Sequence, residues 1–276
     1  MNNKAGKVLE YIANKLKIDV TEIPDGGYLR GNSDSLISNI AVMWKLNFER
    51  VEQALHDGAD FVIFHEWPYW NENIDSELYR MPGIYHAPEH WNAHPDTKLK
   101  KIIENSNAVF LQIHYGLDRL CIYDDFAAFL NFGRIVAGAR YECIYELSKT
   151  YTLKELAAKI GNALGMKQLR IIGNPDKAVT KIGNCWGGVG LSVNAYFIRR
   201  AYELGADVIV AGETDEMTMN FALSCGGAII ETGHFISENI GLLHFVEILN
   251  NEIYQDTTLK INYYSCEKPY TILNLE

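Results

Sequence analysis

The chain has 276 residues, of which 25 are Lys or Arg and 35 are Asp or Glu, so its formal net charge is −10. This balance argues against a general nucleic-acid-binding surface, because affinity for nucleic acid depends first on neutralised phosphates. It suits a protein that gathers cations in one place. Hydrophobic residues make up 48% of the chain, enough for a packed core in one large domain or two smaller ones.

The sequence predicts a cytoplasmic protein with reduced thiols. Its five cysteines are odd in number, widely spaced and without a CxxC motif, so a disulfide framework is not expected. No basic N-terminal segment precedes an apolar core, and no apolar run approaches the ~18 residues of a membrane span. We therefore expect no signal peptide and no membrane partner.

The first half of the chain alternates predicted helices and strands. An N-terminal helix over residues 8–16 ends at IPDGG, and SLISNIAVMW predicts a strand, NFERVEQALHDG a helix and ADFVIF a buried strand. Further along, TKLKKIIENSN predicts a helix, AVFLQI a strand and DDFAAFLNFGRIVAG another helix. This order implies a mostly parallel sheet with helices on its faces.

The periodicity fails in residues 67–95, which are rich in aromatic residues, His and Pro. A loop of this length in a compact domain is usually a lid or a binding loop. His86, His90 and His94 are four residues apart, but prolines inside and directly after that window argue against a continuous helix. We interpret the segment as a lid that covers substrate, with metal capture as the alternative.

The second half of the chain also alternates predicted helices and strands. It predicts helices at TLKELAAKIGNALG, SVNAYFIRRAYELG, MTMNFALSCG and SENIGLLHFVEILN, and strands at QLRIIG, KAVTKIGNCW, ADVIVAG, GAIIETG and LKINYYSC. Both ALHDGADFVIFHEW and AYELGADVIVAGETDE run from a helix through GAD to an apolar strand that ends on a glutamate. The sequence therefore predicts an internal duplication: two similar α/β lobes with mostly parallel sheets. We place them at residues 1–145 and 146–276, with a C-terminal strand able to return to the first lobe.

Polar side chains gather at or just past the predicted strand ends. In a parallel α/β sheet the carboxyl ends of the strands line the ligand crevice. If the two lobes pack face to face, these side chains converge on one cleft, where we expect the functional site. The candidates are His65, Glu66, His114, Asp118, Glu213, His234 and Glu238.

Two of these segments, HYGLD and HFISE, share a His-x3-carboxylate pattern. On the first turn of a helix this spacing puts both side chains on one face. Imidazole with carboxylate suits Zn²⁺, Mn²⁺, Fe²⁺ or Ni²⁺, and two ions ~3.5–4 Å apart would polarise a substrate oxygen and activate water. The alternatives are surface pairs, acidic residues that favour a helix N-terminus, and a core histidine at His65.

The segment GNCWGGVG places Gly187, Gly188 and Gly190 between a strand and a helix. Backbone N–H groups there could bind an anion such as a phosphate, although the spacing matches neither GxGxxG nor the P-loop. A tight turn is the equally weighted alternative. Cys185 in this segment is expected to be a buried structural thiol rather than a nucleophile or ligand.

The landmarks GADFVIFHEWPYW, QIHYGLD, GNCWGGVG, GADVIVAGE and IIETGHFISE occur in this order over nearly the whole chain. In this pattern the chain resembles the Ngg-interacting-factor-three-like family, also called GTP cyclohydrolase I type 2. The resemblance implies a two-lobed α/β protein with a dinuclear metal centre between the lobes, assembled as a toroidal homo-hexamer. The ligands that it implies are His65, Asp118, His234 and Glu238, with His114 lining the site and Glu213 close by.

One residue departs from the pattern of that family. The family typically has two consecutive histidines where this chain has His65 and Glu66. Glu66 either keeps the second ion and hardens the site toward Mn²⁺, Fe²⁺ or Mg²⁺, or leaves one ion weakly held. The number of bound ions and their identity among Zn, Mn, Fe, Ni and Mg stay open.

Two functions remain after these observations, and the first is favoured. The first is a metal-dependent hydrolase of a small nucleotide-like or phosphorylated substrate. In it His65 and His234 are terminal ligands, Asp118 or Glu238 bridges the ions, and Glu213 or His114 is the general base. The second is a non-catalytic, metal-binding hexameric scaffold or regulator. The predicted aromatic lid and the glycine loop favour an enzyme, because a scaffold needs neither.

Overall fold

The computed structural model describes residues 3–23, 26–68, 95–256, 258–266, 270 and 273. The chain forms two compact units: unit 1 comprises Met1–Leu120 with Phe245–Glu276, and unit 2 comprises Cys121–His244. The predicted lid, with His86, His90 and His94, lies outside the described residues except at its two ends. Within the described ranges no helix has both the length and the apolar character that crossing a membrane requires.

Unit 1 is an α/β layer built on one five-stranded sheet. Its strand order is β1-β4-β3-β2-β11, in which β4, β3, β2 and β11 run parallel to one another and β1 is antiparallel to β4. The strands β2, β3 and β4 are buried along their whole length, as expected for a sheet covered on both faces. The elements are α1 (Lys7–Leu16), β1 (Gly26–Arg30), β2 (Asn39–Met43), α2 (Phe48–His56), β3 (Phe61–Phe64), α3 (Pro95–Asn105), β4 (Val109–Ile113), α4 (Tyr115–Leu117) and β11 (Lys260–Tyr264).

Unit 2 contains a six-stranded mixed sheet with the order β5-β6-β8-β9-β10-β7. The central strands β8, β9 and β10 are parallel, and β5, β6 and β7 run antiparallel to their neighbours. The elements are α5 (Tyr123–Phe129), β5 (Arg134–Ala137), β6 (Ile144–Thr152), α6 (Leu153–Ala163), β7 (Arg170–Ile172), β8 (Ala178–Cys185), α7 (Ala195–Glu203), β9 (Val208–Ala211), α8 (Glu216–Ser224), β10 (Ile229–Glu231) and α9 (His234–Ile248), whose last residues belong to unit 1.

The two sheets share a pattern that agrees with a duplication. Each has three adjacent parallel strands in chain order, β2-β3-β4 in unit 1 and β8-β9-β10 in unit 2. In each, an antiparallel strand pairs with the third of these, β1 with β4 and β7 with β10. The α/β class with parallel strands at the centre of both sheets is therefore confirmed.

The predicted helix DDFAAFLNFGRIVAG is wrong in its second part. Helix α5 ends at Phe129, and Arg134–Ala137 forms strand β5, which pairs with β6. The chain turns through left-handed backbone at Asn131 (φ 52°) and Gly133 (φ 100°), which a helix cannot accommodate. A Cβ on Gly133 would lie 2.0 Å from the carbonyl oxygen of Glu146, so the close approach of β6 also requires glycine there.

Candidate metal centre

Strands β3 and β4 bring the predicted site residues of unit 1 to one edge of its sheet. The strands are parallel neighbours with Phe64 opposite Gln112, so the residues that follow them emerge side by side. His65 and Glu66 come directly after β3, and His114 comes directly after β4. This placement agrees with the rule that the carboxyl ends of parallel strands carry functional side chains.

The hydrogen bonds of His65 fix both its orientation and its tautomer. The ring is fully buried, and its Nδ1 lies 3.1 Å from the carbonyl oxygen of Ile113. A carbonyl oxygen only accepts, so Nδ1 carries the proton and Nε2 keeps its lone pair. The His65 carbonyl accepts a hydrogen bond of 3.2 Å from Gln112 Nε2, which ties the residue to β4. This arrangement is typical of a metal-ligating histidine.

Three side chains in unit 1 present donor atoms to one small volume. The His65 Nε2, the Glu66 carboxylate and a ring nitrogen of His114 all lie within 4.8 Å of one another. Glu66 Oε1 lies 3.6 Å from His114 Nε2 and 4.0 Å from His65 Nε2, and the two imidazole rings stack with centroids 4.6 Å apart. Two imidazoles with one carboxylate form a donor set for Zn²⁺, Fe²⁺ or Mn²⁺.

Asp118 adds a second carboxylate to unit 1. Helix α4 begins after His114, and Asp118 opens a π-helical segment, Asp118–Ile122, that follows it. The Asp118 side chain is buried, and its Oδ1 lies 3.7 Å from His65 Nε2. Single π turns inside helices occur often at functional sites because they redirect one side chain.

Unit 2 brings together the residues of HFISE and the glutamate that follows β9. Strands β9 and β10 are parallel with Ala211 opposite Glu231, so Glu213 and His234 lie just beyond neighbouring strand ends. His234 opens α9, and Glu238 follows one turn later with only 2% of its surface exposed. His234 Nε2 lies 3.1 Å from Glu238 Oε1, which is the i, i+4 pairing that the spacing predicts.

His234 lies between two carboxylates. Its Nδ1 is 3.0 Å from Glu213 Oε1, and a carboxylate only accepts, so Nδ1 carries a proton. If the ring carries only this proton, the opposite nitrogen, Nε2, is an acceptor. It then faces another acceptor, the Glu238 carboxylate, with nothing to donate between them. A proton on Nε2 or a metal ion shared with Glu238 satisfies both atoms. The donor set therefore fits a divalent metal, with Glu213 behind the ligand in the manner of a carboxylate–histidine–metal triad.

The glycine loop packs against these ligand side chains. Gly187 has φ +53°, and a Cβ on it would lie 2.0 Å from Glu238 Oε1 and 3.2 Å from His234 Nε2. Gly188 approaches the His234 ring, and a Cβ on Gly190 would lie 2.3 Å from the Glu213 carbonyl oxygen. Gly187 and Gly188 thus make room for the ligand side chains and Gly190 for the backbone of Glu213, while anion binding by their N–H groups stays a prediction.

Ser237 is a site residue that the sequence pattern does not indicate. Its Oγ accepts a hydrogen bond of 2.8 Å from the N–H of Gly187 and donates one of 2.7 Å to the carbonyl oxygen of His234. The side chain is fully buried and so links the glycine loop to the first turn of α9. Its position within HFISE was the only available signal, because its partner Gly187 is 50 residues away.

The surroundings of two further side chains near the glycine loop determine whether they are ionised. Burial raises the pKa of Cys185 to about 12, so the thiol is protonated at neutral pH and agrees with the expected structural role. Burial alone would raise the pKa of Asp215, but hydrogen bonds from Ser192 and Thr218 outweigh it and lower that pKa to about 2. Asp215 is thereby an ionised N-cap of α8, directly after the Glu213 segment.

Comparisons with known proteins identify relatives that match most of the chain. The chain is 33% identical over 250 residues to a protein of Clostridium perfringens and 32% identical over 210 residues to one of Neisseria meningitidis serogroup B. These alignments cover 85% and 71% of this chain, and 87% and 73% of those proteins. Both relatives are named GTP cyclohydrolase 1 type 2 homolog.

Solved structures show the same fold. Protein ybgI, described as of unknown function, has a TM-score of 0.71 at 23% identity, over 97% of this chain and 100% of its own. A Bacillus cereus protein related to NIF3 has a TM-score of 0.71 at 13% identity, over 99% of each chain. The model of the family Duf34/NIF3 (NGG1p interacting factor 3) matches residues 3–269. The chain therefore belongs to the Duf34/NIF3 family.

Proposed function

We propose that this protein binds two divalent metal ions and acts as a metal-dependent hydrolase on a small nucleotide-like or phosphorylated substrate. The observation that carries the proposal is His234, whose Nδ1 is held by Glu213 while its Nε2 faces the buried Glu238 carboxylate at 3.1 Å. Such an acceptor pair is satisfied by a metal ion or by a proton between its two atoms, and the metal is the alternative that we propose. The names of the curated relatives, GTP cyclohydrolase 1 type 2 homolog, support the nucleotide-like class of substrate.

The residues divide into two ligand sets, one in each unit. Set 1 comprises His65, Glu66 and Asp118, and set 2 comprises His234 and Glu238. We propose that both sets contribute to one dinuclear centre, in a protein that assembles as a homo-hexamer. Bound ions would supply Lewis acidity at a substrate oxygen and would acidify water.

His114 is the better placed of the two proposed general bases. Its side chain is partly exposed, and its Nε2 lies 3.6 Å from Glu66 Oε1, where the carboxylate would stabilise the imidazolium formed by proton uptake. Glu213 instead accepts the hydrogen bond from His234 Nδ1, which supports a role in orienting that ring. The position of His114 also allows it to complete set 1 as a ligand.

The proposal is tested by measuring metal content and turnover together. The untagged protein is analysed for bound metals and then incubated with a panel of nucleotides and phosphoesters, with and without a chelator. We expect divalent metal in the protein and turnover that the chelator abolishes. His234→Ala should lose both metal and turnover.

His244→Ala is the matched control for this variant, because it removes the same residue type from the same helix. His244 is half-exposed and pairs with Asp125 at 2.7 Å, an exposed interaction that contributes little to stability. It should keep wild-type metal content and turnover. A fully metal-loaded protein that turns over no member of the panel would instead favour the non-catalytic scaffold.

A further inference from the structure

Unit 2 contains an open cavity of about 460 Å³ that shares no residue with either ligand set. Its lining combines two guanidinium groups, two aromatic rings, one carboxylate and the backbone of a tight turn. A volume of this size is typical of small-molecule sites, which range over ~300–1,000 Å³. The lining includes Arg140, Arg200, Tyr141, Phe197, Glu142 and Gly138.

Arg140 is held at the tip of this turn in an unfavourable backbone conformation. Its φ is +55°, in the left-handed region that residues with a Cβ avoid. The turn is tight, since a Cβ on Gly138 would lie 1.9 Å from the carbonyl oxygen of Glu142. In the part of the chain that the structure describes, the exposed Arg140 guanidinium has no ion-pair or hydrogen-bond partner. Strain that places a charged group at a cavity points to a ligand for that group.

Arg200 supplies the second guanidinium. Its Nε lies 3.3 Å from Glu142 Oε2, and Glu142 Oε1 also accepts a hydrogen bond of 3.0 Å from Tyr196. Its Nη1 also lies 3.6 Å from Glu203 Oε2, so Arg200 is already paired with two carboxylates. Within the described lining this leaves the Arg140 guanidinium as the cation for an anionic ligand, in a chain whose net charge is −10. The cavity is therefore a local site for an anion.

We propose that this cavity binds a phosphate monoester that carries an aromatic ring, such as a nucleoside monophosphate. A guanidinium matches phosphate oxygens with two parallel hydrogen bonds, and Arg140 is available for this contact. The partly exposed ring of Phe197 offers an apolar face on which a base can stack, while the Tyr141 ring in the same lining packs against Trp186. The titration is done in excess chelator, because AMP belongs to the class of substrate that we propose for the metal centre, and this keeps the two sites distinguishable.

The experiment is calorimetric titration of the full-length protein with AMP and, separately, with ribose 5-phosphate. The wild type should bind AMP more tightly than ribose 5-phosphate, because only AMP carries an aromatic base. Arg140→Gly removes the guanidinium while keeping the left-handed backbone, so it should fold with no lower melting temperature. It should weaken AMP binding by about tenfold or more, as expected for the loss of a charge-assisted pair.

Arg134→Ala is the matched control. Arg134 is exposed, pairs with Glu146 and does not line the cavity. It removes the same charge, so unchanged AMP affinity in this variant supports a specific site. The proposal is overturned if wild type does not bind AMP at millimolar concentration, if Arg140→Gly binds AMP as tightly as wild type, or if both variants weaken binding equally. Equal affinities for AMP and ribose 5-phosphate would also contradict it.

Discussion

At the scale of single residues, the role of Glu213 can be separated from that of a general base. Glu213 was one of two residues proposed for proton transfer, and its carboxylate lies on His234 Nδ1 at 3.0 Å. The backbone around it is fixed, because its N–H donates to the Gly187 carbonyl oxygen at 3.0 Å. A carboxylate in this position orients the imidazole and raises its basicity toward a metal.

We therefore predict that Glu213→Ala weakens metal binding by about 10- to 100-fold, as outer-sphere partners of ligating histidines typically do. Glu213→Gln should retain most of the affinity, because its amide oxygen still accepts the Nδ1 proton. The measurement is competition with a chromophoric chelator. Wild-type affinity in Glu213→Ala, combined with loss of turnover, would identify Glu213 as the base instead.

At the scale of elements, the loop between β8 and α7 sets the position of the Glu238 carboxylate. The loop contains the 3₁₀ turn Gly187–Gly190, and the Gly187 N–H is anchored on Ser237 of α9. Gly187 requires glycine for two separate reasons: its positive φ and the carboxylate oxygen 2.0 Å from the position of a Cβ. These two reasons can be tested apart, because Gly226 has a similar φ of +67° and open space around it.

We predict that Gly187→Ala and Gly226→Ala each destabilise the protein by about 1 kcal/mol, since both place a Cβ in left-handed backbone. Only Gly187→Ala should also weaken metal binding, because its methyl group displaces the Glu238 carboxylate from His234. Denaturant unfolding measures the first effect and metal titration the second. Equal metal affinity in the two variants would show that the loop does not position Glu238.

At the scale of the whole molecule, what the sequence predicts depends on how far apart the interacting residues are. The strands that follow each GAD motif, and the polar residues at their ends, are predictable because a short apolar run and its flanking turn specify them locally. Strand β5 is not predictable from the local sequence, because GRIVAG forms a strand only through its pairing with β6. Strand β1 likewise depends on β4, which lies about 80 residues further along the chain.

The same distinction applies to the candidate sites. His234 and Glu238 are four residues apart, so their contact follows from helical spacing. The contact of Glu213 with His234 requires the parallel register of β9 and β10, and the link from Ser237 to Gly187 requires the loop conformation. Arg140 and Arg200 line one cavity from positions 60 residues apart, which no local pattern indicates. The sequence therefore identifies chemistry at strand ends, and the tertiary structure supplies its supporting contacts.

The last prediction concerns whether the two ligand sets share their ions. A ligand that binds only the folded state stabilises it by RT ln(1 + [L]/Kd), which is about 2.7 kcal/mol at a concentration of 100 Kd. If His65 and His234 serve one dinuclear centre, each single alanine variant should lose most of this metal-induced stabilisation. The double variant should then lose little more, because residues that act on one site are strongly non-additive.

If each ligand set bound its own ion independently, the result would be different. Each single variant would lose only its own share, and the losses would add in the double variant within about 0.5 kcal/mol. Thermal or denaturant unfolding with and without excess metal measures all four proteins, and metal analysis of the same samples gives the number of ions lost. Additive losses with one ion missing per single variant would contradict a shared centre while leaving metal binding by each set intact. We expect the losses of metal-induced stabilisation to be strongly non-additive, because in the proposed function both ligand sets hold the same pair of ions.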